Sequence, residues 1–391
     1  MILVVEPVFP NAHHAPVNAG NLRAIRLATG SEDIVFAAHP AHREAVFGVL
    51  DEAERKLCVH HDIEVIPAGG ISFRRFRSQA GTLLGLVRRL KPRLVICLGT
   101  QPETLFACRL LTMVNGDLRV IAVLHGNLNQ AVGWRSRDPR RRWFDDRSSL
   151  NAAIGSPAIQ FVVLDQTVRD AAIKMGLLPR ERCHVWPHPI NPKEVQASPH
   201  RPDPKRMRIA FLGSAKRAKG FSDFVHLTRQ LAARDERYEF SLIGALQETF
   251  PAEALTHIHV TRGFLDRADF LERLSAVDYI CLPLHEDTYT LTVSGVILDT
   301  IAALKPLIAL PTPMTRDLFR IGPVGYLCND LTAMADIMGD MNRLTDSVLY
   351  GQFLANLQRA CHARLPSCLA TVVARLVGEE RTKERSDTND L

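Results

Sequence analysis

The sequence predicts an α/β protein built from two Rossmann-like lobes that face each other across a shared cleft. Three observations carry that prediction. Short β-branched runs alternate with longer segments of helical periodicity, the pattern of parallel sheets covered on both faces. A stretch rich in proline and charge, NPKEVQASPHRPDPKRM, divides the alternation into two series. A length of 391 residues suits about two domains, each with its own core.

Taken in order, the first series places strands at Ile2–Val5, Ile34–Ala37, Leu94–Leu98, Val120–Leu124, Phe161–Leu164 and Val185–Pro187. The second places them at Arg208–Leu212, Phe240–Ile243, His257–Val260, Tyr279–Pro283 and Leu307–Leu310. Helical spacing fills the gaps, as in FSDFVHLTRQLAAR and RADFLERLSAVD. The expected organisation is an N-terminal lobe over 1–197 and a C-terminal lobe over 198–370. Residues 371–391 supply the end of a C-terminal helix and a polar, disordered tail, EERTKERSDTNDL. In open α/β sheets a ligand sits outside the carboxyl ends of the strands, so two facing lobes share their site in the cleft.

Composition narrows the class. The 46% hydrophobic and 23% charged fractions are those of a globular protein, and no apolar run reaches the roughly 18–20 residues of a membrane span. MILVVEPVFP lacks a basic, cleavable leader and reads as a first strand, which makes the cytoplasm the expected location. Eight scattered cysteines fit buried free thiols and support neither a disulfide framework nor a zinc site. The net charge of +6 is clustered in residues 74–93 and in RSRDPRRRW, which contains Arg135, Arg137, Arg140, Arg141 and Arg142. Such patches suit phosphates, nucleic acid or an anionic membrane surface, and solvated loops account for them equally well. The segment FRRFRSQAGTLLGLVRRLKPRL is a basic amphipathic helix. It fits peripheral attachment to a membrane and, with greater weight, a covering helix on the first sheet.

Two loops of the second lobe are candidates for anion binding. In RIAFLGSAKRAKGFSDF a strand ends at Leu212, Gly213 and Ser214 allow a tight turn, and Gly220 introduces a helix. Lys216, Arg217 and Lys219 lie in that loop, where helix amides and cations combine on a phosphate. The spacing matches neither GxGxxG nor a Walker loop. In YTLTVSGVILDTIAALKPLIALP the amides of Ser294, Gly295 and Val296 head a helix running to about Leu304. Asp299 lies one turn in, placed to accept from a ribose diol. As plain helix chemistry, Ser294 is instead an N-cap and Asp299 a dipole partner. The first lobe opens VVEPVFPNAHHAPVNAGNLRAIRLA. There Gly20 would let a ligand approach backbone, Asn18 or Asn21 would cap a helix, and His13 or His14 is a candidate base for an acceptor hydroxyl. The histidine pair has no Asp, Glu or Cys at ligand spacing, and no metal is expected.

At this point the residues resemble a known family. GSAKRAKGFSDF is similar to the glycine, basic, lysine-glycine loop of GT-B glycosyltransferases, especially the retaining family 4-type (glycosyl transferases group 1) bacterial polysaccharide enzymes. HIHVTRGFLDRADFLERLSAVDYICLPL and SGVILDTIAALKPLIA resemble the glycine–helix–strand stretch and the donor-binding helix of that family. VIAVLHGNL resembles its histidine-glycine turn, and CHVWPHPINP its strand before the interdomain linker. The resemblance spans nearly the whole chain through individually loose motifs.

It implies transfer of a sugar from a UDP- or GDP-type donor to an acceptor hydroxyl, with retention and without cofactor or metal, in surface polysaccharide or glycolipid synthesis. Arg217 and Lys219 would neutralise the diphosphate, beside Gly213 and Ser214. Ser294 and Gly295 amides would bind the distal phosphate, Asp299 the ribose, and His125 would flank the sugar. The loop with His13, His14, Asn18 and Gly20 would face the diphosphate and the acceptor, a saccharide or lipid-linked saccharide. One departure concerns the glutamate eight positions before Asp299, which here is Leu291; either Glu286 or Asp287 from LHEDTY replaces it from a shifted loop, or the sugar is held differently. A nucleotide-sugar epimerase on the same fold, or a degenerate scaffold binding nucleic acid around RRRWF, are the alternatives. Neither is favoured, and nucleic acid is not an expected partner.

Overall fold

Both sheets of the computed structural model are parallel throughout, as the strand–helix alternation requires. The structure describes residues 1–12, 14–30, 33–66, 72–125, 128–133, 145–195, 201–261, 265–286, 291 and 293–378. The chain divides into two compact units. One comprises Met1–Asn191, Leu291–Val293 and Arg364–Leu391; the other comprises Pro192–Thr290 and Ser294–Ala363.

The first unit holds β1 (Ile2–Glu6), β2 (Ile34–Ala38), β3 (Val59–Asp62), β4 (Leu94–Cys97), β5 (Arg119–Val123), β6 (Ile159–Val163) and β7 (Cys183–Val185). Their order is β3-β2-β1-β4-β5-β6-β7. Side chains alternate strictly between two cores. Leu3, Val5, Val95, Cys97, Val120 and Ala122 enter one, while Ile2, Val4, Leu94, Ile96, Ile121 and Val123 enter the other. A period of two with both faces buried is why these strands read as continuous apolar runs.

The basic helix Phe73–Leu90 covers the first of these cores with Ala80, Leu83, Leu86 and Val87, and its apolar stripe is used there. Arg74, Arg77, Arg88 and Arg89 are left exposed, while Arg75 is buried 3.1 Å from Glu103. The helix Ala15–Thr29 covers the second core together with the helix Pro366–Gly378, whose Leu369, Val373, Leu376 and Val377 are all buried there. Arg93 and Arg119 donate to the last carbonyls of that helix, at Leu376 and Val377. These contacts place residues from Arg364 onward with the first unit, where the sequence grouped those up to 370 with the second.

The second unit holds β8 (Met207–Leu212), β9 (Tyr238–Ile243), β10 (Ile258–Val260), β11 (Tyr279–Leu282), β12 (Leu307–Ala309) and β13 (Gly325–Leu327), ordered β10-β9-β8-β11-β12-β13. Phe211, Phe221, Phe224, Tyr279, Tyr350 and Phe353 form the centre of its core. All eight cysteines are free thiols, six of them buried. No helix among the described residues is long and apolar enough to cross a membrane.

Candidate active site

In each sheet the strand order reverses once at the centre, at β1/β4 in the first unit and β8/β11 in the second. Ligands of open α/β sheets bind where the loops leave such a point. In the second unit those loops interlock. Gly213 follows β8 with φ of 94°, and a Cβ on it would stand 2.6 Å from Cγ1 of Val296, in the first turn of the helix Gly295–Ala302. Gly220 has φ of 76°, and its Cβ would meet the carbonyl oxygen of Pro283, just after β11, at 1.9 Å. Only glycine fits either place, so the basic loop is held directly beside the helix N-terminus.

The cations of the loop differ in their engagement. Arg217 is committed to the frame: its amide and guanidinium bind Glu248 at 3.0 and 3.2 Å, it donates to the Thr249 carbonyl, and it lies 4.7 Å above the Phe250 ring. Lys219 is half-buried and, like Lys216, has no carboxylate partner among the described residues. Burial first and the charge of Lys216 second lower its pKa. An anion in the loop would offset both effects by its opposite charge.

At the helix, Ser294 is buried and its hydroxyl makes no capping bond. Its amide donates to Met314 Sδ at 3.4 Å, a weak acceptor. The amides of Gly295 and Val296 have no acceptor among the described residues, and a Cβ on Gly295 would meet open space. Asp299 receives Arg267 Nη2 on Oδ1 at 2.8 Å, and the same nitrogen also binds Glu194. Burial raises the Asp299 pKa and Arg267 opposes it. Burial works against the Arg267 charge, yet its two carboxylates hold its pKa above the ordinary guanidinium value. Oδ2 of Asp299 has no partner among the described residues. Neither Arg267 nor Glu194 was marked by sequence, because the trio joins a helix, a linker turn and the helix Gly295–Ala302. Glu286 is exposed and paired with Arg316 at 2.9 Å, and beside it His285 binds Asp223 at 2.7 Å. Leu291, where the resemblance leads to the expectation of a glutamate, is buried in the first unit's core.

In the first unit the turn after β1 is organised by Glu6. This carboxyl is buried and accepts from the Val8 and Phe9 amides at 2.9 and 3.3 Å and from Asn18 Nδ2 at 3.0 Å. Asn18 also meets His42 Nε2 at 2.9 Å. Burial outweighs these bonds and pushes Glu6 up to about 7. Two expectations change here. Asn18 is fully buried in this network instead of facing an acceptor, and Gly20 packs on Pro189, whose Cβ would lie 2.7 Å from an added Cβ. Gly20 therefore serves helix–loop packing, because only hydrogen fits between helix and proline.

Phe9 stacks on the His14 ring at 4.5 Å, and His14 meets His125 edge-on at 4.9 Å. His188, after β7, completes a half-buried group in which one ring nitrogen from each histidine lies within 4.8 Å of the others. Burial, with the charge of a neighbouring histidine second, lowers both His125 and His188 to about 3. Both rings are neutral at physiological pH. His13, Asp287, Tyr289, the RRRWF segment and the tail from 379 lie outside the described residues.

Residues 206–342 match the family described as Glycosyl transferases group 1. No curated protein sequence matches the chain. Among solved structures, a glycosyltransferase from Rickettsia africae ESF-5 has a TM-score of 0.68 at 12% identity, over 98% of this chain and 97% of that one. Sucrose-phosphate synthase from Thermosynechococcus elongatus gives 0.67 at 12% identity, over 99% and 100%. Anabaena HepE in complex with UDP and glucose gives 0.62 at 14%, over 97% and 99%. The fold is accordingly GT-B, two Rossmann-like parallel-sheet units.

Proposed function

We propose that the protein, whose residues 206–342 match the family described as Glycosyl transferases group 1, moves a sugar from a nucleoside-diphosphate sugar to an acceptor hydroxyl, with retention of configuration and no metal requirement. One observation carries the donor assignment. The Gly213–Val296 contact sets the half-buried, unpaired Lys219 loop beside the open amides of Gly295 and Val296 within one unit. Two such elements match the two phosphates of a diphosphate. Asp299, steadied by Arg267, keeps Oδ2 for a ribose hydroxyl.

In the reaction the bond from C1 to the phosphate oxygen breaks and the acceptor oxygen bonds C1 on the same face. The acceptor proton passes to the departing phosphate oxygen. The loop cation and helix dipole stabilise charge on that oxygen, which is the larger need in an oxocarbenium-like transition state. His125, neutral, flanks the sugar as a hydrogen-bonding group and carries no charge. His13 or His14 assists the acceptor hydroxyl. The acceptor is a saccharide or lipid-linked saccharide of surface polysaccharide or glycolipid synthesis. The enzyme works in the cytoplasm, with the exposed arginines of helix Phe73–Leu90 available to an anionic membrane.

The test is thermal shift with UDP, GDP, ADP and their sugar conjugates in the presence of a chelator, followed by product analysis. A shift with one nucleotide and a new glycosidic product support the proposal. Inversion within the free nucleotide sugar would mean an epimerase, and no shift with any nucleotide would mean a degenerate scaffold.

A further inference from the structure

The three-histidine group of the first unit is more than a sugar-facing surface. We propose that His14, His125 and His188 form a binding site for a transition-metal cation of the Zn(II) or Co(II) type, with one coordination position open. The ligands come from three separate segments: the turn before helix Ala15–Thr29, the end of β5 and the loop after β7. No local spacing motif announces them, so a sequence search for paired ligands passes over the site.

The chemistry favours a borderline cation. Three imidazoles with no carboxylate reject Mg(II) and Ca(II), which need oxygen donors, and suit Zn(II) or Co(II). Three histidines plus an open fourth position is a known tetrahedral zinc arrangement. Nitrogens on one tetrahedral zinc stand about 3.3 Å apart, given bonds of about 2.0–2.1 Å. The observed separations reach no more than 4.8 Å, so closure needs side-chain movements of about 1 Å. Nδ1 of His188 is buried with no well-directed hydrogen-bond partner among the described residues, as is Nε1 of Trp186 in the same loop. Phe9, stacked on His14, restricts that ring.

Occupancy has a consequence that rests on the glycosyl-transfer proposal. His125 cannot both ligate a cation and flank the donor sugar, so the loaded protein would be switched off and chelation would restore it. The cation is thus an inhibitor of a metal-independent reaction.

The experiment uses the full chain, stripped with a chelator and titrated with Co(II) and then Zn(II), with no nucleotide or acceptor present. The expected result is one equivalent of Co(II) with the visible bands of tetrahedral nitrogen coordination, displaced by one equivalent of Zn(II). His188→Ala and His14→Ala should each lose that site while retaining the metal-free melting temperature. Weak octahedral Co(II) only, or a stoichiometric site that survives in both variants, would overturn the proposal. Should either variant melt early, the wild-type Co(II) spectrum decides by itself. Because binding is read without donor, its failure leaves sugar transfer untouched, and the reverse holds as well.

Discussion

Replacing Gly213 with alanine isolates the contact on which the proposed donor site depends. The new Cβ would be strained twice. A φ of 94° is closed to alanine at a cost of about 1–3 kcal/mol. The Cβ would also lie 2.6 Å from Val296 Cγ1, roughly 1 Å inside the best carbon–carbon separation, which adds about 1–3 kcal/mol of overpacking. The sum, about 2–6 kcal/mol, corresponds to a fall of roughly 5–20 °C in melting temperature for a unit of this size. Val296→Ala removes the obstructing methyl group, so Gly213→Ala/Val296→Ala should recover the overpacking share but not the backbone share. Calorimetry of the two single variants and the double variant yields that coupling as a cycle. Binding of UDP and GDP, measured by titration, should weaken in Gly213→Ala because the loop and the helix N-terminus are pushed apart. Single variants whose effects simply add, or a Gly213→Ala protein with unchanged melting and affinity, would refute the claim that this glycine locks the two elements together.

Four further outcomes are expected. Lys219→Ala should weaken nucleoside-diphosphate binding roughly 10- to 150-fold in a titration, the weight of one charge-assisted contact of about 1.5–3 kcal/mol; Lys219→Arg should keep part of it. Asp299→Ala should reduce nucleoside-diphosphate affinity while leaving pyrophosphate affinity unchanged, and equal losses would make Asp299 purely structural. Glu6 has a folded pKa of about 7 against an ordinary 4.5, so the folded state holds the extra proton between those values. Its contribution is therefore full below pH 4.5 and is lost as pH rises towards 7. Glu6→Gln should flatten that part of a melting-temperature profile, and an unchanged slope would exclude Glu6 as its source. Arg75→Ala leaves the buried Glu103 without its cation, with the Ser72 amide still donating to it at 2.9 Å, and should cost about 3 kcal/mol in denaturant unfolding, with Arg75→Met/Glu103→Gln recovering most of it.

Much of this architecture was legible because burial on both faces of a parallel sheet leaves dense apolar runs such as ILVVE and LVIC. All eleven strands expected from sequence are present with ends moved by a few residues. The two that escaped are informative. VHHD, β3, is an edge strand whose side chains are largely exposed, so it carries no apolar run. GYL, β13, is three residues long and depends on Gly325, whose φ of 143° and missing Cβ let the backbone approach Leu307. In the site, local chemistry was readable and long-range company was not. The basic loop and the helix start were visible as motifs. That Arg217 is tied to Glu248, Asp299 to Arg267 and Asn18 to Glu6 depends on packing among distant segments, as does the meeting of three histidines. Glycine at position 20 was misassigned for the same reason: a small residue near a helix start fits a ligand or a proline equally well until the neighbour is known.

The helix Pro366–Gly378 sets a schedule for the nascent chain. It follows the second unit in the chain yet fills the hydrophobic face laid down by the first 191 residues. On the ribosome that face has to wait for about 170 further residues, roughly ten to thirty seconds of translation at 5–20 residues per second. Until then Leu22, Ile25 and their neighbours lack their final cover, while the second unit can mature without it. The order of completion is thus the reverse of the order of synthesis, and the vulnerable species in the cell is the early half of an unfinished polypeptide.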